Sequence, residues 1–78
     1  MGGLRWEGVT AVPAAVALFV GRNPDQRTEE LAAAFQVRPA TMRGHLRLLE
    51  VTGFIQRQGR RVSLAVPLEV LTERWGEL

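Results

Sequence analysis

Apolar residues recur three or four positions apart in four stretches of the chain, a spacing that places them on one face of an α-helix. The first stretch contains Pro13, a residue suited to the first turn of a helix, and ends at Gly21, a common helix stop. It is apolar on almost every side, which is typical of a helix buried in the centre of a fold. The pattern predicts four helices, over residues 13–21, 28–35, 39–52 and 67–78.

Between the third and fourth helices the apolar spacing changes to alternation. The segment 54–66 contains two β-prone runs on either side of Gln58-Gly59-Arg60. A glycine between two alternating runs is typical of a β-hairpin. At the other end of the chain, residues 1–10 indicate an arm or a short strand.

The order of these elements predicts the fold class. Only three or four residues connect the second helix to the third, which is typical of a helix-turn-helix, and the hairpin that follows would form a wing. We therefore expect a mainly α fold with a small β-hairpin. The expected architecture is a winged helix-turn-helix with a three-helix core, a wing and a C-terminal helix. A chain of 78 residues has the size of one small domain, so residues 1–78 are predicted to form a single winged-helix domain.

The second helix is predicted from a short apolar stripe and its N-terminal signals. Leu31, Ala34 and Phe35 are spaced so that they form its predicted buried face. Thr28 stands just before this stripe and is a suitable N-cap, because its hydroxyl can accept a hydrogen bond from the first turn.

The third helix has two contrasting faces. Met42, Leu46 and Leu49 point within about 40° of one direction at 100° per residue, and they form its predicted buried face. The opposite face includes a glycine, which in an exposed helix costs about 1 kcal/mol relative to alanine. This glycine indicates either a face kept shallow for a partner or a solvated face without function. The residues of this opposite face are Ala40, Arg43, Gly44 and Arg47.

Charge is distributed unevenly along the chain. All ten basic residues are arginine, against eight acidic residues, and the net charge is +2. Residues 36–63 hold six of the arginines and a single acid, Glu50, so this segment carries +5 and the remainder −3. A concentration of positive charge attracts polyanions to one side of a molecule, which makes nucleic acid the expected partner.

Residues 28–66, TEELAAAFQVRPATMRGHLRLLEVTGFIQRQGRRVSLAV, resemble the core of bacterial winged helix-turn-helix regulators of the MarR and ArsR kind. The family pattern has an ELA helix, a small turn, a helix with T-V-x-x-H-L-x-x-L-E, then G-L-I and a basic wing. The likeness covers about half of the chain. The matching positions here are Glu30-Leu31-Ala32, Thr41-Met42, His45-Leu46, Leu49-Glu50 and Gly53-Phe54-Ile55.

The resemblance implies that the third helix enters the major groove of double-stranded DNA and that the wing contacts phosphate or an adjacent minor groove. Two positions depart from the family pattern. Arg38 stands where a helix-capping serine is usual, and Gly44 stands where a polar, base-contacting residue is frequent. The DNA-binding residues expected from the resemblance and the charge are Arg38, Ala40, Thr41, Arg43, Gly44, Arg47, Arg57, Arg60 and Arg61.

Regulators of this class usually bind DNA as two-fold dimers, so a homodimer is expected. Two apolar segments could form its interface, the N-terminal segment and the stripe of the last helix. Packing within one chain remains an alternative, and for Trp75 alone the two are equally plausible. The residues expected at a dimer interface are Trp6, Leu68, Leu71, Trp75 and Leu78.

Other classes of function find little support in the sequence. The chain has no cysteine, one histidine and one aspartate, so we expect no enzyme, metal site or cofactor. Its longest apolar run, 11–20, is shorter than the ~20 residues that cross a bilayer, so we expect no membrane span. We expect a cytoplasmic, nucleoid-associated protein, and no small-molecule effector. The alternatives are a winged-helix protein–protein interaction module of a replication, segregation or transcription complex and a structured-RNA binder.

Overall fold

The computed structural model describes residues 4–76 of the chain. Within these residues a short 3-10 turn, Trp6–Gly8, precedes four α-helices and three short strands. The predicted class, a three-helix core with a wing and a C-terminal helix, is confirmed. The helices are α1 (Ala11–Arg22), α2 (Thr28–Ala34), α3 (Pro39–Val51) and α4 (Leu68–Trp75), and the strands are β1 (Gln26–Arg27), β2 (Ile55–Gln58) and β3 (Arg61–Leu64).

The ends of the chain differ in detail from the sequence pattern. The segment before α1 forms a 3-10 turn where an arm or a strand was expected. Helix α1 begins at Ala11, two residues before Pro13. The proline is still within the first turn, where backbone N–H groups have no partner inside the helix, so it does not interrupt α1. Helix α4 ends at Trp75, and Leu78 lies outside the described residues.

The wing hairpin, β2 and β3, belongs to a three-stranded antiparallel sheet with the strand order β1-β3-β2. Strand β3 pairs with β2 from Ile55 opposite Leu64 to Gln58 opposite Arg61. On its other side β3 pairs with β1, where Arg27 lies directly opposite Arg61. The sheet therefore connects the hairpin to the segment between α1 and α2, a link that the sequence pattern did not predict.

The core surrounds α1 and the inner face of α3. Met42, Leu46 and Leu49 are fully buried, as predicted from their spacing. They pack in one cluster with apolar residues of α1 and α2, with Phe54 after α3 and with Leu71 of α4. This packing fixes the rotation of α3 and leaves its opposite face exposed.

Helix α2 differs from its prediction in one buried residue and in its cap. Leu31 is buried and Phe35 is half-buried against the core, as their spacing predicts. Ala32 is the buried alanine, however, and Ala34 is exposed. Alanine is small enough for either face, so the spacing alone did not decide between them. The N-cap position belongs to Arg27, whose backbone N–H donates a 2.7 Å hydrogen bond to Glu30 Oε1. Thr28 is the first residue of the helix.

Three aromatic side chains join the two ends of the described chain. Phe54 is fully buried, and its ring centroid lies 4.8 Å from that of Trp6 and 5.0 Å from that of Trp75. The two tryptophan rings are 5.1 Å apart in an edge-to-face arrangement, and the Arg74 guanidinium lies 5.1 Å from the Trp6 ring centroid. Contacts of this geometry stabilise a fold beyond simple area burial.

Candidate nucleic-acid interface

The outer face of α3 is a continuous exposed surface. It is exposed because the three apolar residues of the opposite face occupy the core. Arg38 precedes the helix in an extended conformation with φ −70° and ψ 149°. A guanidinium has no hydrogen-bond acceptor, so Arg38 makes no side-chain cap, and its side chain is exposed beside the helix start. The exposed residues of this outer face are Ala40, Thr41, Arg43, Gly44 and Arg47.

Gly44 has no structural role in the packing of the described chain. A Cβ atom built on this residue would find no atom within 4 Å outside the local helix backbone. Its φ is not in the left-handed region, so its conformation is open to other residues. The lower helix propensity of glycine, about 1 kcal/mol relative to alanine, is therefore not offset by close packing at this position.

Arg43 and Arg47 have no charged or hydrogen-bonding partner for their side chains among the described residues. Seven side-chain hydrogen bonds connect residues of the described range, and neither arginine takes part in them. Both side chains are exposed one turn apart on α3. An unpaired guanidinium keeps its donors available for the planar, two-pronged recognition of a phosphate or a guanine edge.

The wing presents three further exposed arginines, two of which are held by hydrogen bonds. Arg57 Nη2 donates to Thr28 Oγ1 at 3.3 Å, and Arg61 Nη1 donates to the Asp25 carbonyl oxygen at 3.3 Å. Arg60 lies at the hairpin tip next to Gly59, whose φ of 65° suits the tight turn. The tip end of the hairpin is thus fixed against the first residue of α2 and the segment before it.

Arg27 is a residue of this surface that the sequence reasoning missed. It lies outside the basic segment 36–63, in the part of the chain with excess acidic residues. Strand β1 brings it beside the wing, where it lines an open groove of about 540 Å³. No local pattern marks a two-residue strand, so only its pairing with β3 shows this proximity. The other lining residues are Thr28, Glu29, Arg57, Gly59 and Arg60.

The described residues among those predicted at a dimer interface contact the core of their own chain. Leu71 is fully buried and leaves no surface for a second copy. Leu68, Trp6 and Trp75 are half-buried against the core, and the two tryptophans contact each other. Packing within one chain accounts for these contacts, and Leu78 lies outside the described residues.

Other kinds of site are not found in the part of the chain that the structure describes. Among residues 4–76, no group of three or more histidine, cysteine, aspartate or glutamate residues is placed to hold a metal ion. In the same range, no helix has the length and apolar character needed to cross a membrane.

The arrangement is that of a winged helix-turn-helix of the regulator type: a second and third helix around a short turn, an exposed face on the third helix and a basic wing. The structure is similar to the crystal structure of a MarR family protein of Mycobacterium tuberculosis, Rv2887, with a TM-score of 0.77 and 26% sequence identity. The chain has a MarR-like winged-helix fold, as its sequence predicted.

The likeness covers part of the neighbour only. It includes 87% of this chain and 52% of the Mycobacterium tuberculosis protein, so the chain spans about half the length of that protein. No protein-family model matches the sequence. Comparison with curated proteins also gives no match.

Proposed function

We propose that this chain binds double-stranded DNA as a small transcriptional regulator. In this proposal α3 lies in the major groove, and the wing residues 57–61 lie on the phosphate backbone or in the adjacent minor groove. The observation that carries the proposal is the outer face of α3, which is exposed, is shallow at Gly44 and has two arginines that no described residue pairs. A function of this kind would place the protein with DNA in the cytoplasm, and it needs no catalytic group or cofactor.

The chemistry of the face suits a duplex. Arg43 and Arg47 each offer a guanidinium that can bind guanine O6 and N7 in two-pronged fashion or hold a phosphate. Ala40 and Gly44 add almost no height, so the helix axis can approach the base edges closely. Thr41 is exposed at the margin of this face, where its hydroxyl group can donate to a phosphate and its methyl group can contact a thymine methyl.

The charge of the face also distinguishes this function from its alternatives. A protein–protein module is favoured if the arginines of α3 form ion pairs within the fold, and Arg43 and Arg47 make no hydrogen bond to a described carboxylate. A single-strand RNA binder needs exposed aromatic rings for base stacking. Phe54, Trp6 and Trp75 pack on one another instead.

The proposal includes a dimer on DNA. Two copies would place two α3 helices in successive major grooves, about 34–36 Å apart along the duplex. The partly exposed edges of Trp6, Leu68 and Trp75 are described apolar surfaces that a second copy could cover. Sedimentation at several protein concentrations, with and without a duplex of two half-sites, tests this. A 1:1 complex at every concentration would contradict it.

The decisive experiment is a titration of a fluorescent mixed-sequence duplex, followed by anisotropy over a salt series. The double variant Arg43→Ala/Arg47→Ala is compared with Arg5→Ala/Arg22→Ala, which removes the same charge from exposed sites outside α3 and the wing. We expect the slope of log K against log salt to become shallower by up to about 1.8 for the α3 variant, at about 0.9 for each arginine that contacts a phosphate. The control variant should change it much less.

Three results would contradict the proposal. The first is no binding of the duplex at low salt. The second is an equal loss in the test and control variants, which would indicate diffuse attraction to net charge. The third is stronger binding to duplex RNA than to duplex DNA under the same conditions.

A further inference from the structure

The groove beside the wing combines residues that are far apart in the sequence. It lies between the start of α2 and the hairpin tip, has a volume of about 540 Å³ and is open to solvent along one side. Its lining residues include three arginines, Arg27, Arg57 and Arg60, and one acidic residue, Glu29. The lining therefore carries a net charge of +2, and its polar character does not suit the mostly apolar ligands that fill enclosed pockets.

The guanidinium groups are brought together by the sheet. Strand β1 places Arg27 directly opposite Arg61 of β3. Like charges directly opposite each other destabilise an antiparallel pair. The hydrogen bond from Arg57 Nη2 to Thr28 Oγ1 holds a third guanidinium at the same end of the sheet. An anion in the groove would be attracted by Arg27, Arg57 and Arg60, which line it.

We propose that this groove binds one phosphate group of the DNA backbone, held by Arg27 and Arg60 with Arg57 as its fixed wall. The inference rests on the proposed function and extends it to Arg27, which lies outside α3 and the hairpin. A phosphate offers oxygens to more than one planar guanidinium, which suits a groove with several of them. A phosphodiester carries one negative charge, so a groove with a net charge of +2 attracts it, and Glu29 weakens that attraction.

The test uses the fact that two residues on one phosphate share a single contact. Arg27→Ala and Arg60→Ala are made singly and together in the full chain, and the salt dependence of duplex binding is measured for each. Each single variant should make the slope of log K against log salt shallower by up to about 0.9. The double variant should make it shallower by about the same amount, not by the sum of the two. Arg5→Ala is the matched control, because Arg5 is exposed and its backbone N–H bonds to the Thr52 carbonyl, away from the hairpin tip.

A second pair of variants moves the affinity in the opposite direction. Glu29→Gln removes the carboxylate of the groove, and we expect it to raise duplex affinity by about threefold at low salt. Glu73→Gln makes the same change of charge on the exposed face of α4 and should leave the affinity nearly unchanged. Equal effects of the two substitutions would overturn a specific site in the groove.

Inorganic phosphate, titrated at constant ionic strength without DNA, distinguishes the source of the phosphate group. Phosphate binding would appear as saturable shifts of arginine side-chain NMR signals that disappear in Arg27→Ala/Arg60→Ala. If that double variant also binds DNA with unchanged affinity, the groove binds a free phosphate ion and not the DNA backbone. If the chain binds DNA, and neither the slopes nor these signals depend on Arg27, the inference is wrong and the proposed function stands. If the chain does not bind DNA, the proposed function fails and the phosphate titration alone decides the site.

Discussion

Gly44 allows the stability of α3 and its proposed binding to be separated in one substitution. Gly44→Ala adds a methyl group in open space, so no described side chain must move. The gain in helix propensity, about 0.8–1 kcal/mol, should appear in full as free energy of unfolding. For a domain of this size that corresponds to a rise in Tm of about 4–8 °C. Thermal unfolding followed by circular dichroism measures it directly.

The same methyl group should weaken DNA binding. If α3 lies close to the base edges at Gly44, the added Cβ pushes the helix outward and loosens the neighbouring arginine contacts. Loss of one two-pronged arginine–guanine pair is worth about 1–3 kcal/mol, or about 5- to 150-fold in Kd. Gly44→Gln should weaken binding further, because its side chain is larger. Both variants therefore become more stable than the parent protein and bind DNA less tightly.

Two results would refute this reasoning. A Gly44→Ala protein that is more stable but binds DNA with unchanged affinity would show that the shallow face has no part in binding. A variant that is no more stable would show that the space around Gly44 is not open. Ala33→Gly, at an exposed position of α2, is the control, because it should change stability by a similar amount in the opposite direction and shows whether a change in stability alone alters DNA binding.

Three further predictions concern packing. Gly21→Ala would place a Cβ 2.6 Å from Leu64 Cδ1 and 2.7 Å from Leu68 Cδ1, which is too close for either contact. We therefore expect urea denaturation to show a free energy of unfolding lower by up to about 2 kcal/mol, despite the gain in helix propensity. Leu71→Ala should lower the free energy of unfolding by about 2–5 kcal/mol at every protein concentration, because this side chain is fully buried in its own chain. A loss that depended on concentration would instead indicate a dimer contact. Trp75→Ala should lower the free energy of unfolding by about 2–3 kcal/mol in the same measurement, which is less than the loss expected for a fully buried tryptophan, because Trp75 is half-buried.

The sequence predicted those parts of the fold in which a repeated pattern reports burial. Met42, Leu46 and Leu49 recur over two turns of α3, and one face of a helix is the simplest arrangement that buries all three. Alanine carries no such signal, which is why Ala34 was assigned to the core in place of Ala32. The stripe of α4 shows a further limit, because the same spacing suits packing against the chain itself or against a second copy, and Leu71 lies in its own core.

The candidate site was predicted only where its residues are close in sequence. The outer face of α3 and the hairpin tip follow from helical spacing and from a glycine at a turn. Arg27 could not be found in this way, because β1 has two residues and alternation needs more. Its place beside the wing depends on pairing across 34 positions of the chain, between Arg27 and Arg61. Tertiary contacts of this kind have no local signature.

The pairing of β1 with β3 has a thermodynamic consequence for any partner of the wing. An isolated two-stranded hairpin is marginally stable in water, whereas a third strand and a packed face make a sheet that holds its shape. Residues left free in solution would each lose about 1–2 kcal/mol of backbone conformational entropy when ordered by a partner. Because the strands beside Gly59 are already ordered, most of that loss occurs during folding. A partner therefore binds a wing that is already ordered, and the charge at the wing tip contributes to affinity with little loss of conformational entropy on binding.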